Sequence, residues 1–171
     1  MLMFLDEQKT TVLSKYKPII IGNLVCAYGM LFSFAIQGYG AISIFFSTLS
    51  ILIAYLFGLF FWRDLKQIGQ HPSKLWFKAS FLFYVASSLG TFALAYMMIT
   101  KHLPQNLYLA SVYYYLHFQY NGFFFFFFFL LFISQVYRII PKLEYVSKIF
   151  WLFAISCVPT YFLSTLWMKL P

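Results

Sequence analysis

The side chains best suited to chemistry lie in one apolar stretch, residues 110–122. Four of its polar residues are spaced i, i+4, i+7 and i+8, which predicts that they share one face of a helix: Tyr113, His117, Tyr120 and Asn121. Tyr115 and Gln119 form a neighbouring polar ridge. An imidazole next to phenols and a carboxamide can ligate a metal, or it can hydrogen-bond to a second helix.

The composition excludes a soluble domain as the carrier of these residues. Of 171 residues, 63% are hydrophobic and 9% are charged, and the mean hydropathy is +0.80. Soluble domains carry about 25% charged residues. The net charge of +8 comes from Lys and Arg at the ends of apolar runs, a membrane pattern rather than a nucleic-acid one. The predicted surroundings are therefore a lipid bilayer, with no nucleic-acid partner.

Charge-free stretches divide the chain into five predicted spans. The stretch 18–62 is long enough for two crossings, since one needs about 20 apolar residues, and Gln37–Gly40 supplies the break. The predicted spans are 18–37, 41–62, 79–100, 107–135 and 149–168. They are predicted to be helices, because lipid leaves isolated strands unpaired. The fold expected is an all-α integral membrane bundle: residues 1–17 form an N-terminal segment, and residues 18–171 form one transmembrane domain.

The basic residues predict how these spans are oriented. Ten of them fall on the side of the N-terminus and two on the other side. The ten are Lys9, Lys15, Lys17, Arg63, Lys66, Lys74, Lys78, Arg138, Lys142 and Lys148, and the two are Lys101 and Lys169. Since basic residues concentrate on the cytoplasmic side, the N-terminus is predicted inside and the C-terminus outside. The predicted location is a bacterial inner membrane.

His117 lies about ten residues into the fourth span, roughly 15 Å of helix rise from the outer end. Such a group is costly in lipid and requires an interior partner. It can be a metal ligand, or it can hydrogen-bond across helices with Asn121 and specify packing. His71 and His102 lie in connecting segments on opposite sides, so the three histidines cannot share one metal. Because the chain has no intramembrane carboxylate, phosphate-binding loop or Ser-His-Asp arrangement, no catalytic residue is assigned.

Two other features predict packing rather than chemistry. Ser87, Ser88 and Thr91 surround Gly90, a patch of small residues that lets helices approach closely. The run Phe123–Phe129 covers every face of a helix, so it predicts apolar filling rather than one binding surface.

Tyr114–Phe124, which reads YYLHFQYNGFF, resembles a segment of an uncharacterised family of bacterial multi-span membrane proteins. Further matching parts are Gln37–Ser43, Ser87–Thr91 and Leu107–Ser111, so that the resemblance covers most of residues 20–135. Such proteins are longer and carry a histidine-rich helix in their N-terminal half. The resemblance implies that this chain corresponds to the C-terminal half.

The same segment is distantly similar to the large subunit of heme–copper oxidases and nitric oxide reductases. That resemblance implies that His117 ligates the non-heme metal beside a heme, with Tyr113, Gln119, Tyr120 and Asn121 as cofactor-binding neighbours. Asn121 stands where the reductase pattern has a carboxylate, a departure from reductase chemistry. The remaining ligands would come from a partner subunit or from a missing N-terminal half.

Two main hypotheses follow, and whether the chain is an enzyme stays open between them. In the first, the chain is part of a heme–copper-oxidase-like centre that handles O2 or NO. In the second, it is a non-catalytic structural or assembly subunit of a membrane complex. Half of a transporter is a weaker third hypothesis, based on the glycines of the first two spans, among them Gly22 and Gly29.

Overall fold

The computed structural model describes residues 9–38, 40–67, 71–101, 104–140 and 145–167. Every regular element in these ranges is helical, and five helices are long and apolar enough to cross a membrane. They cover Ser14–Gln37, Ala41–Lys66, Ser73–Thr100, Gln105–Ile139 and Val146–Ser164. The predicted all-α fold with five membrane helices is confirmed, and the chain is a multi-pass membrane protein. The inside position of the N-terminus stays a prediction.

The fourth span contains three successive helical elements. The order along the chain is α1 (Lys9–Gln37), α2 (Ala41–Gln67), α3 (Ser73–Thr100), α4 (Gln105–His117), a π-helical segment (Phe118–Phe124), α5 (Phe125–Ile139) and α6 (Val146–Ser164). Several helices run past the charge-free stretches: α2 continues through Arg63 and Lys66. Long basic side chains allow this extension, because their apolar stems lie along the helix while the charge reaches water.

The chain divides into two compact units, Met1–Gln67 and Ile68–Pro171. The first contains the hairpin of α1 and α2. Gly38 forms its turn with φ +61°, a backbone conformation that suits glycine, and its carbonyl accepts a hydrogen bond from the Ser43 hydroxyl at 2.6 Å. Further along the hairpin, a Cβ added to Gly29 would lie 2.5 Å from the Phe46 ring, so the two helices approach closely there.

In the second unit, α3 packs against α4, the π-helical segment, α5 and α6. Gly90 allows a close approach of two backbones, since a Cβ at this position would lie 2.8 Å from the Ser111 carbonyl oxygen and 2.9 Å from the Tyr115 amide nitrogen. The small-residue patch thus brings two backbones together, as the sequence predicts. At the other end of α3, Trp76 is fully buried among the rings of Phe126, Phe129 and Phe150, at centroid distances of 5.1 to 5.5 Å.

The phenylalanine run serves both the core and the lipid-facing surface. Phe126 is fully buried beside Trp76, whereas Phe124, Phe128 and Phe132 are 49%, 65% and 54% exposed. These three lie four residues apart and form a ridge along one side of the span. The run therefore fills the core on one face and presents apolar surface on another.

Candidate functional site

The candidate site surrounds the junction between α4 and the π-helical segment. A π-helix pairs residue i with residue i+5, which widens the backbone, and such segments are frequent at functional sites. Serines on α3 support this one: the Ser80 hydroxyl donates to the Phe123 carbonyl at 3.1 Å, and the Ser87 hydroxyl donates to the Gln119 side-chain oxygen at 2.7 Å. Gly122 permits the close packing, because a Cβ there would lie 2.6 Å from Phe83.

His117 is buried at this junction, with 6% of its surface exposed. Its Nε2 lies 2.8 Å from the Cys157 carbonyl oxygen on α6, and its Nδ1 lies 3.2 Å from Asn121 Nδ2. A carbonyl oxygen can only accept a hydrogen bond, so Nε2 carries the hydrogen. Nδ1 then accepts from the Asn121 amide. Both ring nitrogens are thus used within the chain.

An aromatic wall closes one side of the His117 ring. Tyr161 of α6 lies with its ring centroid 5.9 Å from that of His117 and 5.2 Å from that of Tyr114. The Tyr161 hydroxyl donates to the Ala110 carbonyl at 3.3 Å. Phe118 packs edge-on against the imidazole at 5.2 Å. Reasoning from sequence missed Tyr161, because no local pattern links it to a segment forty residues earlier.

The other predicted site residues do not converge on His117. Gln119 bonds to Ser87 on α3, and Tyr113 is partly exposed, with its ring 5.7 Å from that of Trp167. Tyr120 is exposed to the surroundings next to Phe124. The spacing that predicted a shared face assumes 3.6 residues per turn, and the wider turn of the π-helical segment accounts for Tyr120. Tyr113 precedes that segment and lies one regular turn before His117 in α4, but its ring packs against Trp167. The structure therefore bonds Asn121 to His117 and gives the other three different neighbours.

A notch of about 200 Å³ opens on the surface of the second unit, and its lining includes Asn121 and Cys157, the two residues that bond to His117. Its lining comes from the π-helical segment, α5 and α6, and includes Asn121, Phe125, Phe153, Ser156, Cys157 and Thr160. The hydroxyls of Ser156 and Thr160 donate to carbonyls of their own helix, so their oxygens face the notch as acceptors. Asn121 is exposed here, and its bond to His117 uses one of its two amide hydrogens. The notch therefore places an open carboxamide beside three phenylalanine rings and two hydroxyl-bearing side chains.

The donor set does not fit a heme–metal centre formed by this chain alone. In the described ranges, no three His, Cys, Asp or Glu side chains lie close enough together to hold a metal ion. His117 would also have to give up one of its two hydrogen bonds to ligate. His71 bonds to Ser73 outside the spans, and His102 lies outside the described residues. A metal at His117 with ligands from another polypeptide stays a prediction.

The hairpin contains a separate polar cluster that the sequence did not predict. Lys15 Nζ contacts both carboxylate oxygens of Asp64 at 2.6 and 2.8 Å, and the buried Tyr16 hydroxyl donates to the same carboxylate at 2.5 Å. Nearer the hairpin turn, the Ser50 hydroxyl donates to the Asn23 side-chain oxygen at 3.0 Å. These contacts connect α1 to α2 at two positions along the hairpin, one near its open end and one closer to the turn.

His71 lies between the second and third spans and caps the start of α3. Its Nδ1 accepts from the Ser73 hydroxyl at 2.8 Å and from the Ser73 amide at 3.3 Å, and its ring packs against Tyr137 at 4.6 Å. The pKa of His71 is held below its ordinary value, first by burial and then by the positive charges of Lys74 and Arg138. Because Nδ1 accepts hydrogen bonds from Ser73, this contact requires the unprotonated ring, which the lowered pKa favours.

Comparison of the chain with protein-family models, with curated proteins and with solved structures found no match.

Proposed function

We propose that this chain is a non-catalytic structural or assembly subunit of a membrane complex, located in a bacterial inner membrane. The observation that carries the proposal is the contrast between His117 and Asn121. The imidazole is buried, with both nitrogens bonded inside the chain, whereas the carboxamide that supports it faces lipid. An amide with an open donor and acceptor is unfavourable in hydrocarbon, so another polypeptide is its natural partner.

The His117 network supports a packing role. It links the end of α4 to the Cys157 carbonyl of α6, and the aromatic wall shields it on one side. Polar side chains that bond across helices specify how membrane helices pack. In this proposal His117 holds the notch in shape, and the notch receives a partner helix.

Isolation of the tagged chain from its native membrane in mild detergent tests the proposal. The expected result is a complex larger than the monomer, which Asn121→Leu weakens. Asn23→Leu is the matched control, because Asn23 is also an exposed amide but bonds within the hairpin. Recovery of the wild-type chain only as a monomer would contradict an assembly role.

The metal-centre hypothesis has its own test. A reduced-minus-oxidised optical spectrum and a metal analysis of the same native preparation are expected to show no heme or metal that depends on His117. His117→Ala is compared with Gln119→Ala, which removes a neighbouring bond but leaves the imidazole in place. A heme signal lost only in His117→Ala would overturn the non-catalytic proposal in favour of a ligand role.

A further inference from the structure

We infer that the partner at the notch is a second copy of this chain, held by paired Asn121 carboxamides in a two-fold contact. This inference rests on the proposed function and names its partner. It starts from the depth of Asn121, the seventeenth of the 35 residues of the span Gln105–Ile139. At the middle of a span, no water or headgroup can satisfy the open amide.

The carboxamides of the spans differ in which atom this chain bonds: the oxygen in Asn23 and Gln119, and the nitrogen in Asn121. Asn23 accepts a hydroxyl from Ser50, and Gln119 accepts one from Ser87. Asn121 bonds only to the imidazole four residues before it, on its own span. Its side-chain oxygen and second amide hydrogen therefore have no partner within the part of the chain that the structure describes.

A carboxamide is complementary to a copy of itself. Each has an acceptor oxygen and two N–H bonds that point in different directions, so one hydrogen can serve His117 while the other serves a facing amide. Two copies inserted in the same orientation are related by an axis along the membrane normal, and an isologous contact uses the same patch on both copies, so that a residue on the axis faces its own copy. The two Asn121 side chains then meet at equal depth without further adjustment.

The surface around Asn121 is also suited to such a contact. The ridge of Phe124, Phe128 and Phe132 is exposed, and its first residue directly precedes Phe125, which lines the notch. Rows of side chains four residues apart pack into the groove of a facing helix. With Asn121 on the axis, Phe124, one turn further along the span, lies nearest to its own copy. Phe128 and Phe132 of each copy then pack into the notch of the other, where Ser156 and Thr160 are small enough to admit aromatic rings.

Cysteine cross-linking of the full chain in its native membrane tests this contact. The two native cysteines are buried, so they contribute little background. Phe124→Cys introduces a thiol on the ridge, and Tyr28→Cys is the matched control. The two positions are 49% and 55% exposed, and they lie at similar distances from span ends on the same side of the membrane. Oxidation is expected to yield a disulfide-linked dimer from Phe124→Cys and little from Tyr28→Cys.

Two further variants link the dimer to the named contacts. Adding Asn121→Leu to Phe124→Cys is expected to lower the dimer yield roughly tenfold, since interhelical hydrogen bonds are lost in both copies. Phe128→Ala removes part of the ridge without touching His117, and it is expected to lower the yield as well. A drop with both variants supports the paired contact.

Two outcomes would overturn the inference, and they differ in what they imply for the proposed function. Cross-linking of Phe124→Cys to a different polypeptide would replace the second copy with another subunit and leave the assembly role intact. A chain that cross-links to nothing and isolates as a monomer would overturn both proposals. Equal dimer yields from Phe124→Cys and Tyr28→Cys would indicate random collision and would also reject the contact.

Discussion

The hairpin and the second unit differ in whether the side-chain oxygen of an exposed asparagine is hydrogen-bonded within the unit. In the hairpin, Asn23 and Asp64 both find partners on the facing helix, within the unit. In the second unit, His117 is satisfied by Cys157 and Asn121, but Asn121 itself remains open to lipid. The Asn23 oxygen is closed by a bond within the hairpin, whereas the open Asn121 oxygen at mid-span points to a molecule outside the chain. Asn23 and Asp64 thus stabilise the fold of the hairpin, whereas Asn121 keeps an atom available for a molecule outside the chain.

The largest expected effect is a loss of stability when a methyl group is added where two helices approach closely, and it should differ between the two units. Gly90→Ala is expected to destabilise the second unit by about 3 kcal/mol, because the added Cβ meets backbone atoms of α4 that cannot move alone. Gly29→Ala is expected to cost about 1 kcal/mol, since its Cβ meets the Phe46 ring, which can rotate. Thermal or denaturant unfolding in detergent measures both. Equal losses would mean that the two approaches are equally rigid.

Removal of the imidazole should destabilise the second unit by a smaller amount. His117→Leu is expected to cost about 2 kcal/mol, because it leaves the Cys157 carbonyl and the Asn121 amide without their shared partner. Gln119→Leu removes a single bond to Ser87 and is expected to cost about 1 kcal/mol. Unfolding midpoints in one detergent compare them. A neutral His117→Leu would remove the packing role assigned to the ring.

Replacement of the two exposed asparagines tests the comparison directly. Asn23→Leu is expected to lower monomer stability by about 0.6 kcal/mol, the average for a hydrogen bond between membrane helices, and Asn121→Leu, which loses a bond within its own span, by a similar or smaller amount. Only Asn121→Leu is expected to reduce assembly, which size-exclusion chromatography of native extracts measures. If Asn23→Leu dissociates the complex as well, the hairpin is not closed in the sense described.

The smallest expected effect is a pH dependence from His71. Its folded pKa lies below the ordinary value of 6.5, so the unfolded chain binds more protons between these two values. Stability should therefore be complete above about pH 6.5 and should fall as the pH drops through the folded pKa. Unfolding midpoints at about pH 7.5 and about pH 5 measure the change. His71→Asn keeps an acceptor near Ser73 but does not titrate, so its midpoint should change less.

The membrane fold was predictable from the sequence because lipid imposes strong rules. A stretch of about 20 apolar residues must be helical to satisfy its backbone, and charge-free stretches therefore located all five spans. The span ends were less predictable: α2 continues to Gln67, past Arg63 and Asp64, because charged side chains at a helix end can reach water. The bond from Lys15 to Asp64 depends on the pairing of α1 with α2, which no local pattern specifies.

The candidate site was only partly predictable. The four-residue spacing correctly brought Asn121 to His117 and placed Tyr113 one α-helical turn before it, but it also predicted a shared face with Tyr120. The π-helical segment begins directly after His117 and changes the direction in which the following side chains point. No periodic pattern in the sequence predicts where such a segment starts. The partners Cys157 and Tyr161 come from α6, whose position is set by tertiary packing rather than by sequence spacing.

The π-helical segment also divides the fourth span into two halves, and the second half is rotated about the helix axis relative to a uniform α-helix. Each residue advances an α-helix by about 100° and 1.5 Å, so one extra residue in a turn offsets everything after it by that amount. Before the segment, Ser111 and Tyr115 pack against Gly90 of α3. After it, Phe126 packs against Trp76 of the same helix. The same residues wound as a uniform α-helix would turn Phe126 and Leu130 away from α3, whereas deletion of a single residue from 118–124 would restore uniform α-helical winding and leave both facing α3. The wider turn, which takes up one extra residue, keeps both halves of the span in contact with one neighbouring helix.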